Sequence, residues 1–233
     1  MNQIASNLAA VRERIAAAAG AAGRDSGSVR LVAVSKTFPA EAVRTAYEAG
    51  QRDFGENKVQ EALQKIAATA ELEIGWHLIG HLQSNKARRA GPAFAAIHSI
   101  DSVDLLRRVD AAAADANVAP EVLIQVDLAG ESTKYGSPVS EVAAIARAGR
   151  ECRAARLTGL MLLPPWSEDP ETTRPYFRRL RELRDQLVTE GIDPSQLCEL
   201  SMGMSHDYEV AIEEGATIVR VGTAIFGKRT VRP

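Results

Sequence analysis

Short β-rich apolar runs alternate with helical stretches along almost the whole 233-residue chain. The runs read as strands over 29–34, 52–55, 76–79, 94–100, 122–128, 157–163, 197–202 and 217–221. Between them, helical text covers 39–49, 56–67, 84–90, 102–114, 140–150, 171–190 and 205–214. Short buried strands alternating with helices imply a parallel sheet with right-handed crossovers. About eight such units in roughly 200 residues predict an α/β fold of the (β/α)8 TIM-barrel type. A doubly wound open sheet is the alternative that periodicity leaves open. No Pro/Ser-rich linker or charge tract divides the chain, so a single domain over 1–233 is expected. Ahead of the first strand, residues 2–19 read as an Ala-rich helix. Ile4, Leu8, Val11 and Ile15 are spaced by four, three and four, a helical pattern that Gly20 and Gly23 should end.

Charge narrows the function. Lys+Arg total 28 against 30 for Asp+Glu, a formal net charge of -2. General nucleic-acid or membrane-surface binding needs a basic excess, which is missing. Arg178, Arg179, Arg181 and Arg184 resemble a basic patch, but Phe177, Leu180, Leu183 and Leu187 form an apolar stripe on the same helix. That arrangement is an outer helix with a solvated face. The first charges are Arg12, Glu13 and Arg14, so no targeting signal is read, and the apolar run from Ile15 to Ala22 is too short to span a bilayer. Cys152 and Cys198 lie in no CxxC or Cys/His spacing. They read as two buried thiols in a reducing, cytoplasmic protein.

Several motifs fail on inspection. GTAIFGKR at 222–229 nearly fits a phosphate loop, but Arg229 stands where a Mg²⁺-binding hydroxyl belongs. No GxGxxG follows a strand, which removes support for a dinucleotide fold. His77 and His81 are four apart, but on a strand that separation is about 13 Å, too far to share one ion. His98 and His206 have no ligand-spaced partners, so no metal site is expected.

Lys36 is the most informative residue. It directly follows the first apolar strand, which in a parallel barrel is the C-terminal rim where active sites are built. Desolvation there would free its amine as a carbonyl-reactive nucleophile. Glu56 and Asn57 follow the second strand, and His77 lies on the third. The seventh strand runs through Ser201 to Ser205, and the eighth ends Arg220-Val221-Gly222-Thr223. Hydroxyls, glycines and free N–H groups after the last two strands suit a phosphate. A carbonyl-reactive lysine opposite a phosphate cradle points to a phosphorylated aldehyde. A sugar phosphate in an aldolase and pyridoxal 5′-phosphate (PLP) both satisfy that chemistry.

A resemblance separates them. The stretches LVAVSKTFP (31–39), FGENKVQE (54–61), WHLIGHLQSNK (76–86), VLIQVDLAGESTKYG (122–136), GLMLLPP (159–165), LSMGMSHDYEVAI (200–212) and VRVGTAIFG (219–227) follow one another in order. Together they resemble the pyridoxal phosphate homeostasis protein family over almost the whole chain. The resemblance implies a single-domain PLP-binding barrel similar to the alanine racemase N-terminal domain. It implies PLP held as a Schiff base on Lys36, with Asn57 beside the ring and Arg220 facing the pyridine nitrogen. Ser201, Ser205, Gly222 and Thr223 would line the phosphate end, with His77 near the pocket. His81 stands where the family often has proline.

The resemblance does not supply a reaction. Alanine racemase-like enzymes add a β-rich domain carrying a catalytic tyrosine, and with Pro233 ten residues beyond Thr223 that domain is expected to be absent. Tyr47, Tyr135, Tyr176 and Tyr208 offer no obvious replacement. Arg220 can only donate to the ring nitrogen, which weakens the ring as an electron sink. The expectation is a non-catalytic, monomeric PLP carrier that buffers the cofactor or delivers it to apo PLP-dependent enzymes. The competing class is an enzyme, a weak amino-acid racemase or a Schiff-base aldolase.

Overall fold

Alternation of side chains within each strand explains the architecture. In β1 (Arg30–Val34), Leu31 and Ala33 join the outer core under the helices, while Val32 packs in a separate buried group with Leu123, Met161 and Ile218. Successive Cβ atoms point to opposite faces, so a strand covered by helices outside and facing a closed interior is apolar on both. The computed structural model describes residues 2–130 and 135–228. Residues 131–134 of the VLIQVDLAGESTKYG stretch, and Arg229 of GTAIFGKR, lie outside the described residues.

The other strands are β2 (Asp53–Glu56), β3 (Gly75–Leu78), β4 (Ala96–Ile100), β5 (Glu121–Asp127), β6 (Ser137–Pro138), β7 (Arg156–Met161), β8 (Glu199–Met204) and β9 (Ile218–Val221). Hydrogen bonding runs β4-β3-β2-β1-β9-β8-β7-β5, and a β4–β5 pairing closes the ring. Every pairing is parallel. The two-residue β6 adds only a short bridge to β5. The eight-stranded (β/α)8 barrel expected from the alternation is therefore present, and closure removes the open-sheet alternative.

The helices are α1 (Gln3–Ala21), α2 (Ala40–Glu48), α3 (Val59–Ala68), α4 (Ala87–Ala90), α5 (Val103–Asp115), α6 (Val139–Gly149), α7 (Arg174–Thr189), α8 (Tyr208–Glu213) and α9 (Thr223–Phe226). α1 is capped by Asn2, whose side chain accepts from the Ile4 N–H, and buries Leu8, Val11 and Ile15. It runs through Gly20 and stops near Gly23, whose φ of +69° is the left-handed conformation that glycine adopts most readily. α7 buries the predicted stripe of Phe177, Leu180, Leu183 and Leu187. Its arginines Arg174, Arg178 and Arg181 gather around the carboxylate of Glu214. Cys198 corrects the sequence reading: it is exposed, because β8 starts one residue later and leaves it on the preceding loop. Cys152 is half-buried, and burial pushes its thiol up to about 11. Among the described residues no helix is long and apolar enough to cross a membrane.

Candidate functional site

A cavity of about 520 Å³ opens at the C-terminal end of the strands. Val34, Lys36, Asn57, Ile79, Met204, Ser205, Arg220, Gly222 and Thr223 line it from five strand ends. Leu163, Pro164 and Trp166 add an apolar wall from the loop after β7, and His206 lies at the edge. The size suits a small cofactor, and an apolar cavity with a few convergent polar groups is the usual form of such a site.

Lys36 is placed by a clamp on both of its neighbours. The Ser35 hydroxyl donates to Glu56 Oε1 at 2.6 Å, and Lys65 Nζ donates to the Ser35 carbonyl at 2.7 Å and to Glu56 Oε1 at 2.6 Å. On the other side the Thr37 N–H donates to Glu61 Oε1 at 2.7 Å. Thr37 has φ of +71°, a conformation that costs a β-branched residue roughly 1–2 kcal/mol. The strand end thus turns sharply at Lys36, and the turn is held by a buried ammonium and two carboxylates from β2 and α3. Burial pushes the Glu56 carboxyl up, against the opposing pull of Lys65 and Ser35.

Asn57 approaches the next turn closely. A Cβ on Gly80 would lie 2.3 Å from the Asn57 carbonyl oxygen, so no larger residue fits there without moving this wall of the cavity. At the far side, Ser205 Oγ accepts from the Gly222 N–H at 3.0 Å and the Ala224 N–H at 3.4 Å. The turn that carries Ser205 passes through Gly203, with φ of +92°, and is tied by Asp207 Oδ1 accepting from the Met204 N–H at 2.7 Å.

Arg220 lies at the base, 2% exposed. Its Nη1 donates to Ser201 Oγ at 2.6 Å and its Nη2 to the Leu162 carbonyl at 2.8 Å. Burial lowers its pKa to about 10, which leaves the guanidinium charged at neutral pH. A guanidinium has five N–H donors, so several remain beyond these two bonds.

The structure brings Lys36, Asn57, Ser205, Arg220, Gly222 and Thr223 to one cavity. It places Ser201 and His77 elsewhere. Ser201 is fully buried beneath Arg220, and His77 is inside the barrel, bonded to His98 at 2.9 Å and Asp53 at 3.1 Å. The reason is strand geometry: Ser201 precedes Ser205 by most of a strand, and His77 precedes the rim residue Ile79 by two. Sequence reading passed over Trp166, Met204 and His206 on the rim. It also gave no role to His98, whose signal was a histidine in the middle of a buried strand that is apolar apart from Ser99. His81 stacks on Tyr135 with ring centroids 3.6 Å apart, away from His77.

Residues 6–230 match the family described as "Alanine racemase, N-terminal domain". The fold and site therefore define a barrel of the alanine racemase N-terminal class. Among curated proteins, the chain is 45% identical over 222 residues to the "Pyridoxal phosphate homeostasis protein" of Aquifex aeolicus, covering 95% of this chain and 96% of that protein. It is 46% identical over 229 residues to the protein of the same name in Pseudomonas aeruginosa, covering 98% and 97%. The chain belongs to the pyridoxal phosphate homeostasis protein family. Among solved structures, PipY of Synechococcus elongatus with PLP bound matches with a TM-score of 0.85 at 40% identity, over 96% of this chain and all of that one. An alanine racemase of Streptomyces coelicolor shares the fold, with a TM-score of 0.70 at 22% identity over 97% of this chain and 58% of that one.

Proposed function

We propose that this chain is an intracellular PLP-binding protein that holds and releases the cofactor, as a monomer and without efficient turnover. The observation that carries this reading is the meeting of Lys36, Arg220 and the Ser205–Gly222–Thr223 corner in one cavity. PLP, when bound, supplies an aldehyde that condenses reversibly with an amine. Lys36 provides that amine at the mouth. Ser205, the Thr223 hydroxyl and the Gly222 and Ala224 N–H groups, which without ligand donate to Ser205 Oγ, would receive the phosphate, where charge-assisted hydrogen bonds contribute about 1.5–3 kcal/mol each. Asn57 would flank the ring, and Val34, Ile79 and Leu163 would exclude water from its faces. Arg220 would face the ring nitrogen and, as a donor only, would leave it unprotonated. Ser201 and His77 act from behind Arg220 rather than on the phosphate or the ring.

A carrier requires attachment and release. Racemisation requires in addition a proton-handling group on the face opposite the lysine. The described lining offers Lys36, Arg220 and the exposed His206 as its titratable side chains, which favours the carrier. The test is exchange of the Cα hydrogen of L-alanine in deuterated water by the PLP-loaded protein, read by NMR and chiral chromatography. Slow exchange and no D-alanine are expected. Exchange at an enzyme-like rate would move the chain to the racemase class. Recipients of the cofactor, apo PLP-dependent enzymes, are tested by restoration of their activity from loaded protein faster than from an equal concentration of free PLP.

A further inference from the structure

We propose that Asp53, His77 and His98 are positioning residues for Arg220, acting through a one-way chain of hydrogen bonds that crosses the barrel interior. The chain has four links. His77 Nε2 meets Asp53 Oδ1 at 3.1 Å, and His98 Nε2 meets His77 Nδ1 at 2.9 Å. Ser201 Oγ meets His98 Nδ1 at 2.8 Å, and Arg220 Nη1 meets Ser201 Oγ at 2.6 Å. It begins with Asp53 on the N-terminal rim and ends at the cavity base.

Chemistry at the two ends sets its polarity. A carboxylate can only accept, so the His77 proton sits on Nε2. With a single proton on its ring, His77 presents a lone pair at Nδ1, which obliges His98 to donate from Nε2. His98 Nδ1 must accept, so the single Ser201 hydroxyl proton points down to it. Ser201 is left with lone pairs for Arg220, which can only donate. Each link thus has one donor and one acceptor, with the histidine protons on Nε2. The environment agrees: burial holds His98 well below the ordinary histidine range, helped by His77, Arg220 and Arg30. His77 is 1% and His98 0% exposed, so water does not compete.

A filler role would not need this chemistry. Val32, Leu123, Met161 and Ile218 fill the same interior with apolar groups, which avoids desolvating polar ones. The polar side chains instead form a line that stops at the guanidinium. Its effect is to commit Ser201 as an acceptor. With Nη1 on Ser201 and Nη2 on Leu162, the guanidinium plane is fixed before any ligand arrives.

For its effect on the cofactor this inference rests on the PLP reading, but its first test does not. In the protein without added ligand, long-range ¹H–¹⁵N correlation should show both His77 and His98 with a protonated Nε2 and a bare Nδ1. Asp53→Ala removes the anchor from a rim position remote from the cavity. It should mix the His77 tautomers, shift the Arg220 side-chain N–H resonances, weaken PLP binding about fivefold and move the absorption band of bound PLP. His98→Phe, which cuts the chain in the middle, should do the same more strongly. Other tautomers in the wild type would overturn the proposal. So would Asp53→Ala with unaltered Arg220 resonances, PLP affinity and band, whatever its melting temperature. If the wild-type protein takes up no PLP, the functional reading fails while the tautomers and Arg220 resonances still decide the chain.

Discussion

At the N-terminal end of the barrel Arg30 reaches Glu121 and Glu199, each at 3.1 Å, and Glu199 also accepts from Thr217. At the C-terminal end Lys36 and Arg220 line a cavity whose described lining contains no carboxylate. Arg220 is met instead by neutral acceptors, Ser201 and the Leu162 carbonyl. Arg30 is answered by anions of its own end, whereas the Arg220 guanidinium is bonded to neutral acceptors beside a space that suits an anionic ligand. The same division between a stabilising bottom and a functional top is general to this barrel type. Here it also shows how the functional end is kept rigid: its carboxylates, Glu56 and Glu61, are set behind the turn that carries Lys36.

Removing the amine should break the functional end most completely. Lys36→Ala is expected to abolish borohydride-fixable PLP, whereas the wild-type protein should be yellow and carry the adduct on the peptide containing Lys36. The check is peptide mass analysis after reduction. An adduct on Lys58 or Lys86 would contradict the assignment. Residual non-covalent binding by Lys36→Ala is consistent with it, since the phosphate corner is untouched.

The clamp behind Lys36 is the next largest effect, on stability. Lys65 is 7% and Glu56 0% exposed. Removing one member of such a pair leaves a buried uncompensated charge, typically a loss of 3–5 kcal/mol, and about that is expected for Lys65→Met. Denaturant unfolding measures it. The paired change Lys65→Met with Glu56→Leu should recover part of the loss. An equal loss in both would mean that packing, rather than charge, carries the clamp.

How far these two regions could be read from sequence differs for a physical reason. β-rich runs separated by helical text gave all eight barrel strands, and position after a strand gave Lys36, Asn57, Ser205, Gly222 and Thr223, while the family resemblance put Arg220 and Asn57 at the ring. Those are local signals. The clamp joins Ser35, Glu56 and Lys65, and the interior chain joins Asp53, His77, His98 and Ser201 across four strands. Such contacts depend on the register between strands, which local periodicity does not contain. Ser201 shows the cost: the resemblance put its hydroxyl at the phosphate end with Ser205, but it is buried and bonded to His98 and Arg220 rather than lining the cavity.

Within the cavity, Ser205→Ala should separate phosphate from ring. Loss of a charge-assisted hydrogen bond of about 1.5–3 kcal/mol predicts roughly ten- to hundredfold weaker PLP binding. Pyridoxal, which lacks the phosphate, should bind the variant and the wild type about equally. Equal weakening of both ligands would place Ser205 at the ring end instead.

The smallest effect belongs to the opposite end and tests the comparison itself. The Arg30 side chain is 35% exposed, with Glu121 at 24% and Glu199 at 21%, so solvent screens the triad. Pairs of this kind contribute about 0–1 kcal/mol. Arg30→Met should therefore lower stability by at most about 1 kcal/mol. It leaves two carboxylates facing each other, so the deficit should respond to ionic strength. Added salt screens the repulsion in the variant and the attraction in the wild type, and both changes narrow the gap. PLP affinity should change less than in Asp53→Ala, because Arg30 touches neither the cavity nor Ser201 and reaches the interior chain only through its charge near Asp53 and His98. If Arg30→Met instead weakened PLP binding as much as Ser205→Ala, the two ends would not be separable. The Arg30 triad would then have to be counted with Asp53 among the bottom charges that act on the cofactor site.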